Sequence, residues 1–108
     1  MVTIRRQPAA VFRAIADPTR REILDLLRPG GRSVGDIASN FRTSRPAISK
    51  HLRLLRTAGL VKVKKKGAAR ICELDARPLR AVDRWLREYE AMWEEQLMSL
   101  KKFVEEAP

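Results

Sequence analysis

Seven residues within one short stretch, Ser44, Arg45, Pro46, Ser49, Lys50, His51 and Arg53, combine fixed positive charge with small hydrogen-bonding groups. No Asp or Glu stands among them, and the acid-free run continues from Ile37 to Cys72, taking in Lys64, Lys65, Lys66 and Arg70. A solvated helix or strand face normally mixes both signs of charge, so a surface of one sign asks for an anionic partner. Arginine and lysine can grip phosphates or pair with guanine edges, and serine adds neutral hydrogen bonds. The residue types do not divide base readers from phosphate holders. His51, the only histidine, has two open readings: a phosphate or base contact, or a ring packed under its helix.

Catalysis is not expected. The lone His51 and the lone Cys72 fall on different elements with no supporting motif, so no nucleophile and base come together. A single cysteine excludes an intramolecular disulfide and cannot by itself build a metal site. Cys72 is read as a small buried hydrophobe.

The elements that must position these residues follow from caps and periodicity. Thr43 and Ser44 offer oxygens to a helix N-terminus, Pro46 suits a first turn, and Gly59 suits a left-handed cap. Between them Ile48, Leu52 and Leu55 form an apolar stripe, with Pro46, Lys50, Arg53 and Thr57 opposite and Ser49 at the flank. Upstream, Pro8 opens a first helix with Val11, Phe12, Ile15 and Ala16 at helical spacing. Asp17 and Pro18 cap and start a second, rich in Ile23, Leu24, Leu26 and Leu27, which Pro29-Gly30-Gly31 stops. Ser33 caps a short third helix to about Asn40, and Arg32 and Ser33 are further candidates for phosphate contact. Two short helices and a tight turn make a helix-turn-helix.

After Gly59, Val61 and Val63 alternate with lysines, which predicts a β-hairpin with its tip near Gly67. A basic hairpin after a recognition-type helix is a wing whose Lys64, Lys65, Lys66 and Arg70 reach phosphates or a minor groove. The plainer reading is that these lysines guard a strand edge.

Charge supports this division of the chain. Residues 1–72 hold 17 Lys/Arg against 4 Asp/Glu, a net of +13, whereas residues 73–108 hold 6 against 9, a net of −3. The whole is one domain of net charge +10, a candidate for nucleic acid before anionic membrane. No apolar run long enough to span a bilayer and no signal-peptide core is found, so a cytoplasmic location is expected.

From Pro78 to about Val104 the pattern is helical, with Val82, Trp85, Leu86, Tyr89, Trp93, Leu97, Leu100 and Val104 mostly three or four apart. Such a helix spans roughly 40 Å, more than the about 35 Å diameter of a globule this size. Its aromatic stripe therefore needs a partner, and the expected one is a second copy of the chain. Phe12, Val82, Trp85, Tyr89, Trp93, Leu97 and Leu100 are the expected dimer interface, and the acidic residues around them keep this end away from DNA.

The segments Phe12-Arg13-Ala14-Ile15-Ala16-Asp17-Pro18-Thr19-Arg20-Arg21-Glu22-Ile23-Leu24, Ser33-Val34-Gly35-Asp36-Ile37-Ala38, Ser44-Arg45-Pro46-Ala47-Ile48-Ser49-Lys50-His51-Leu52 and Ala58-Gly59-Leu60-Val61 closely resemble the arsenic-repressor (ArsR/SmtB) family of bacterial winged helix-turn-helix regulators. The resemblance, over roughly residues 9–100, implies dimeric repressors that dock two recognition helices on a palindromic operator and dimerise through first and last helices. The family's metal sensors carry cysteines in the third helix, or aspartate-and-histidine sets on the last. Here the third helix has no thiol and the last no histidine, so neither site can be assembled.

The expectation is therefore a mainly α, dimeric winged helix-turn-helix of order α-α-α-α-β-β-α, without metal or other cofactor. It binds double-stranded DNA as a non-enzymatic repressor of its own or neighbouring genes. The alternatives are a sensor with an effector cleft near Trp85, Tyr89 and Trp93, and a basic protein-interaction or nucleoid-associated winged helix.

Overall fold

Each helix of the first two-thirds begins where a short polar side chain takes up a free backbone amide, α1 excepted. The computed structural model describes residues 2–107, with side chains from Pro8 onward. Helix α1 spans Val2–Ile15 and α2 spans Pro18–Leu27, where the Asp17 carboxylate accepts from the Arg20 amide at 3.0 Å. Helix α3 spans Val34–Ala38, capped by the Ser33 hydroxyl, and α4 spans Arg45–Thr57, capped by Ser44. Each such cap contributes about 1 kcal/mol.

The end of α4 is equally well defined. Gly59 takes φ +79°, its amide donates to the Arg56 carbonyl, and the Leu60 amide reaches back to Leu55, both at 2.9 Å. This is a Schellman closure, which a residue with a β-carbon would strain.

Strand β2, Val61–Lys66, then pairs antiparallel with β3, Ala69–Leu74, through a two-residue turn at Gly67 (φ +64°) and Ala68. A short strand β1, Arg32–Ser33, adds to the other edge of β3, with Arg32 opposite Cys72 and Ser33 opposite Ile71. A 3-10 turn at Arg77–Leu79 leads into α5, Arg80–Glu106.

Three details correct the sequence reading. The sheet has three strands in the order β1-β3-β2, not a hairpin alone. Two residues carry no periodicity, and β1 exists only because the chain after α2 runs alongside β3. Pro8 lies inside α1 instead of opening it, at the cost of one i→i−4 backbone hydrogen bond in that helix. Pro78 sits in the 3-10 turn that precedes α5.

The core gathers Ile23, Leu24 and Leu27 of α2, Ile37 of α3, Ile48, Leu52 and Leu55 of α4, and Leu60, Val61 and Cys72 of the wing base. Val11 and Ala14 of α1 close it from the far side. Burying a side chain such as Leu or Ile contributes roughly 1.5–3 kcal/mol. The stripe of α4 therefore fixes which of its faces looks outward.

Helix α5 leaves this core early. Val82 still packs against it, but every described residue from Asp83 onward is exposed. Phe12 of α1 meets Trp85 edge-on with ring centroids 5.6 Å apart, and Trp85 meets Tyr89 at 5.3 Å. Beyond Trp93 the apolar stripe continues uncovered: Leu97 is 65% exposed and Phe103 73%. The molecule measures 68 × 38 × 21 Å, as a helix overrunning its globule requires.

Candidate nucleic-acid interface

With Ile48, Leu52 and Leu55 turned inward, α4 offers a crest and two flanks. At about 100° per residue Lys50, Arg53 and Pro46 form the crest, Arg45, Ser49 and Arg56 one flank, and His51 and Leu54 the other. Pro46, Lys50 and Arg53 are exposed, and no carboxylate approaches either cation among the described residues. Arg45 is exposed at the first turn and lays its guanidinium over Gly35 of α3. The Ser44 hydroxyl accepts from the Ala47 amide at 3.3 Å, so its lone pair serves the helix, while its hydrogen stays available.

The Ser49 flank faces the wing. A groove of about 260 Å³ runs between α4 and the sheet, lined by Ser49, Arg53 and Arg56 on one side and Val63, Arg70 and Cys72 on the other. Three arginines converge there with no acid among the lining residues. Arg56 escapes the sequence reading because the helical wheel sets it beside the apolar stripe. Only the position of β3 turns that flank into part of the cationic face. Cys72 is buried at the floor of the sheet, and burial pushes its thiol up from the ordinary range, with Arg56 opposing in part.

The wing's own cations divide by strand face. Val61 and Val63 point to the core, which places Lys65 and its cross-strand partner Arg70 on the same side of the sheet. Lys62, Lys64 and Lys66 lie on the opposite side. Lys64 pairs with Glu73 at 3.0 Å and Lys62 with Asp75 at 3.2 Å. Arg77 also clasps Asp75 at 2.7 Å, and its side-chain and backbone hydrogen bonds hold that carboxyl far below the usual carboxylate range. Lys65, Lys66 and Arg70 have no such partner among the described residues. The sequence-predicted wing residues thus share one hairpin but not one electrostatic state.

His51, on the other flank of α4, is half-buried against the α1–α2 junction. Its Nδ1 lies 3.3 Å from the Arg20 guanidinium and 3.9 Å from the Asp17 carboxylate. The Arg20 amide is the chief cause that lowers the Asp17 pKa, followed by opposing burial and then the charges of Arg20 and His51. The packed reading of His51 and its availability as a donor are compatible, because only one ring nitrogen is engaged here.

The expected dimer residues sit away from this face. Phe12, Val82, Trp85 and Tyr89 cluster where α1 meets α5, while Trp93, Leu97 and Leu100 lie on the overrun. The donor set for a thiophilic metal does not fit. Cys72 is buried in β3, α3 offers Asp36 alone and that is paired with Arg32, and α5 has no histidine.

Comparison with known proteins agrees with this architecture. The family description "bacterial regulatory protein, arsR family" matches residues 17–63, from the cap of α2 into β2. The transcriptional repressor SdpR of Bacillus subtilis is 53% identical over 57 residues, an alignment covering 53% of this chain and 63% of that repressor's length. The HTH-type transcriptional regulator Rv2034 of Mycobacterium tuberculosis is 42% identical over 77 residues, covering 71% of this chain and 72% of the other. Among solved structures, the homodimeric winged helix-turn-helix DNA-binding domain of Mb0332 from Mycobacterium bovis, a possible ArsR-family regulator, superposes with a TM-score of 0.66 at 27% identity. It covers 82% of this chain and 85% of that one.

Proposed function

The chain belongs to the arsR family of bacterial regulatory proteins, and from that premise we propose that it is a homodimeric, sequence-specific DNA-binding transcriptional repressor. The observation that carries this reading is the unpaired cationic face. Arg53 and Arg56 of α4 and Arg70 of the wing line one groove free of carboxylates, and Lys50 on the crest of α4, Arg45 at its first turn and Lys65 and Lys66 on the hairpin add exposed cations without an acidic partner among the described residues. In this reading α4 enters the major groove, Arg53 and Lys50 are placed to meet base edges, and the wing holds the flanking backbone.

The exposed stripe of α5 supplies the second half of the proposal. A continuous run of Trp, Tyr, Leu and Phe outside the globule is the surface a second copy would cover, and the homodimeric Mycobacterium bovis domain supports that occupant. Two copies related by a two-fold axis read a palindrome whose half-sites lie one DNA turn or a multiple apart, about 10 or 20 bp. The protein acts in the cytoplasm as a metal-independent repressor with no enzymatic activity.

The test is selection of a duplex from a randomised pool by the wild-type protein, followed by titration at several salt concentrations. A selected duplex bound at least about a thousandfold more tightly than random duplex is the expected result. Equal binding of both would leave only a sequence-neutral basic protein.

A further inference from the structure

Helix α1 ends at Ile15 without a glycine; the Ala16 amide reaches the Arg13 carbonyl at 3.3 Å, and the carbonyls of Ala14 and Ile15 take side chains from α2. Arg20 makes two side-chain contacts there: Nε donates to the Ala14 carbonyl at 2.7 Å and Nη2 to the Arg13 carbonyl at 2.9 Å. Arg21 makes the third, donating to the Ile15 carbonyl at 2.7 Å. The remaining nitrogen of Arg20, Nη1, meets Nδ1 of His51 on α4 at 3.3 Å. Its backbone amide is held by Asp17, whose carboxylate also faces the histidine. One guanidinium therefore touches the end of α1 and the middle of α4, across 31 residues of chain.

The chemistry of this contact is directional. Arginine only donates, so Nδ1 of the neutral ring must present its lone pair and the ring hydrogen sits on Nε2. A planar fork with all three nitrogens engaged has little freedom left, and it fixes the imidazole with it. Helix α1 is in turn packed on α5 through Phe12 and Trp85. The chain of contacts runs from the exposed α5 stripe, through α1 and Arg20, to the helix that carries Lys50 and Arg53.

We infer that Arg20 is a positioning residue for the recognition helix: it locks the rotamer and tautomer of His51, leaving Nε2–H as the donor, and ties α4 to the helix that packs on α5. The inference rests on the reading of α4 as the DNA-contacting helix. Arg20 itself supplies no contact to DNA; it decides the pose in which α4 presents its own.

A double-mutant cycle on the duplex selected by the wild type tests this. Arg20→Ala and His51→Ala should each weaken that duplex about tenfold, and the double variant should be no weaker than either by more than about twofold, as for residues sharing one network. The far-UV circular dichroism and the sedimentation coefficient should stay as in the wild type, which a general loss of structure would not allow. His51→Asn, whose Oδ1 can accept from Arg20 in place of Nδ1, should retain affinity that His51→Leu loses. If Arg20→Ala fails to fold because α1 loses two carbonyl partners, this second pair decides with Arg20 intact. Multiplying losses in the double variant, or equal losses for Asn and Leu at position 51, overturn the strut. A wild type that selects no duplex overturns the DNA reading beneath it, and the strut with it.

Discussion

Lys64 Nζ lies 3.0 Å from Glu73 Oε1, so a lysine of the wing is already neutralised by its own sheet. Both groups are solvent-accessible, and such a pair adds at most about 1 kcal/mol to stability. Its effect is on charge available to a polyanion. Lys64→Ala should therefore change the salt dependence of DNA binding less than Lys65→Ala or Arg70→Ala. Each of the latter should flatten the slope of log affinity against log salt by about 0.9 for every phosphate it no longer neutralises. Glu73→Gln should raise affinity for random duplex by releasing Lys64. Equal slopes for the three cation variants would show that the pairing has no influence.

Ser44 sits at the cap of α4, and its oxygen holds the Ala47 amide. Ser44→Ala should lower stability by about 1 kcal/mol, and Ser44→Asp should restore it. On DNA the two should part: aspartate keeps the cap but sets a carboxylate beside the phosphates. Denaturant midpoints and duplex affinities measured on both variants separate capping from contact. If Asp at 44 binds as well as Ser, the first turn of α4 stands clear of the backbone.

Leu97 is 65% exposed on the overrun of α5, and no described contact ties it to the core. Leu97→Glu should leave the fold intact by circular dichroism while shifting sedimentation from dimer to monomer. Loss of the second recognition helix removes the gain from linking two half-site contacts, so affinity for the selected duplex should fall by about a hundredfold or more. A dimer that persists with this substitution would place the interface elsewhere.

Asp75 is held by Arg77 and Lys62, and its folded pKa is depressed. The sign follows from proton counting: in mild acid the unfolded chain binds a proton at this site that the folded chain does not. The pair thus contributes stability in full above the ordinary carboxylate value of about 3.9, and that contribution shrinks as pH falls toward the lower folded value. Asp75→Asn should lose stability at neutral pH and show a shallower decline below pH of about 4. Thermal midpoints measured across the acid range check this; parallel acid limbs for the two proteins would contradict it.

Much of the cationic face was legible in the residues themselves. Asp17, Ser33 and Ser44 announced three helix starts, Gly59 a left-handed helix cap, Gly67 the tip of a hairpin, and Ile48, Leu52 and Leu55 the buried side of α4. These are local signals, set by caps, by backbone sterics and by a period of 3.6, and they require no knowledge of distant neighbours. The absence of acids between Ile37 and Cys72 made the sign of the surface plain as well.

Other features depended on segments far apart in the chain. Sequence could not show that β1 would join β3, that Arg56 would line a groove with Arg70, or that Glu73 would neutralise Lys64 but not Lys65. Nor could it show Arg20 of α2 closing on His51 of α4. Strand register and helix packing decide those contacts, because a side chain's partners across a sheet or a helix crossing depend on where the whole element comes to rest. Local physics determined the elements and their outward charge; tertiary packing determined which charges are free, which are spoken for, and which side chains tie α4 to the helices behind it.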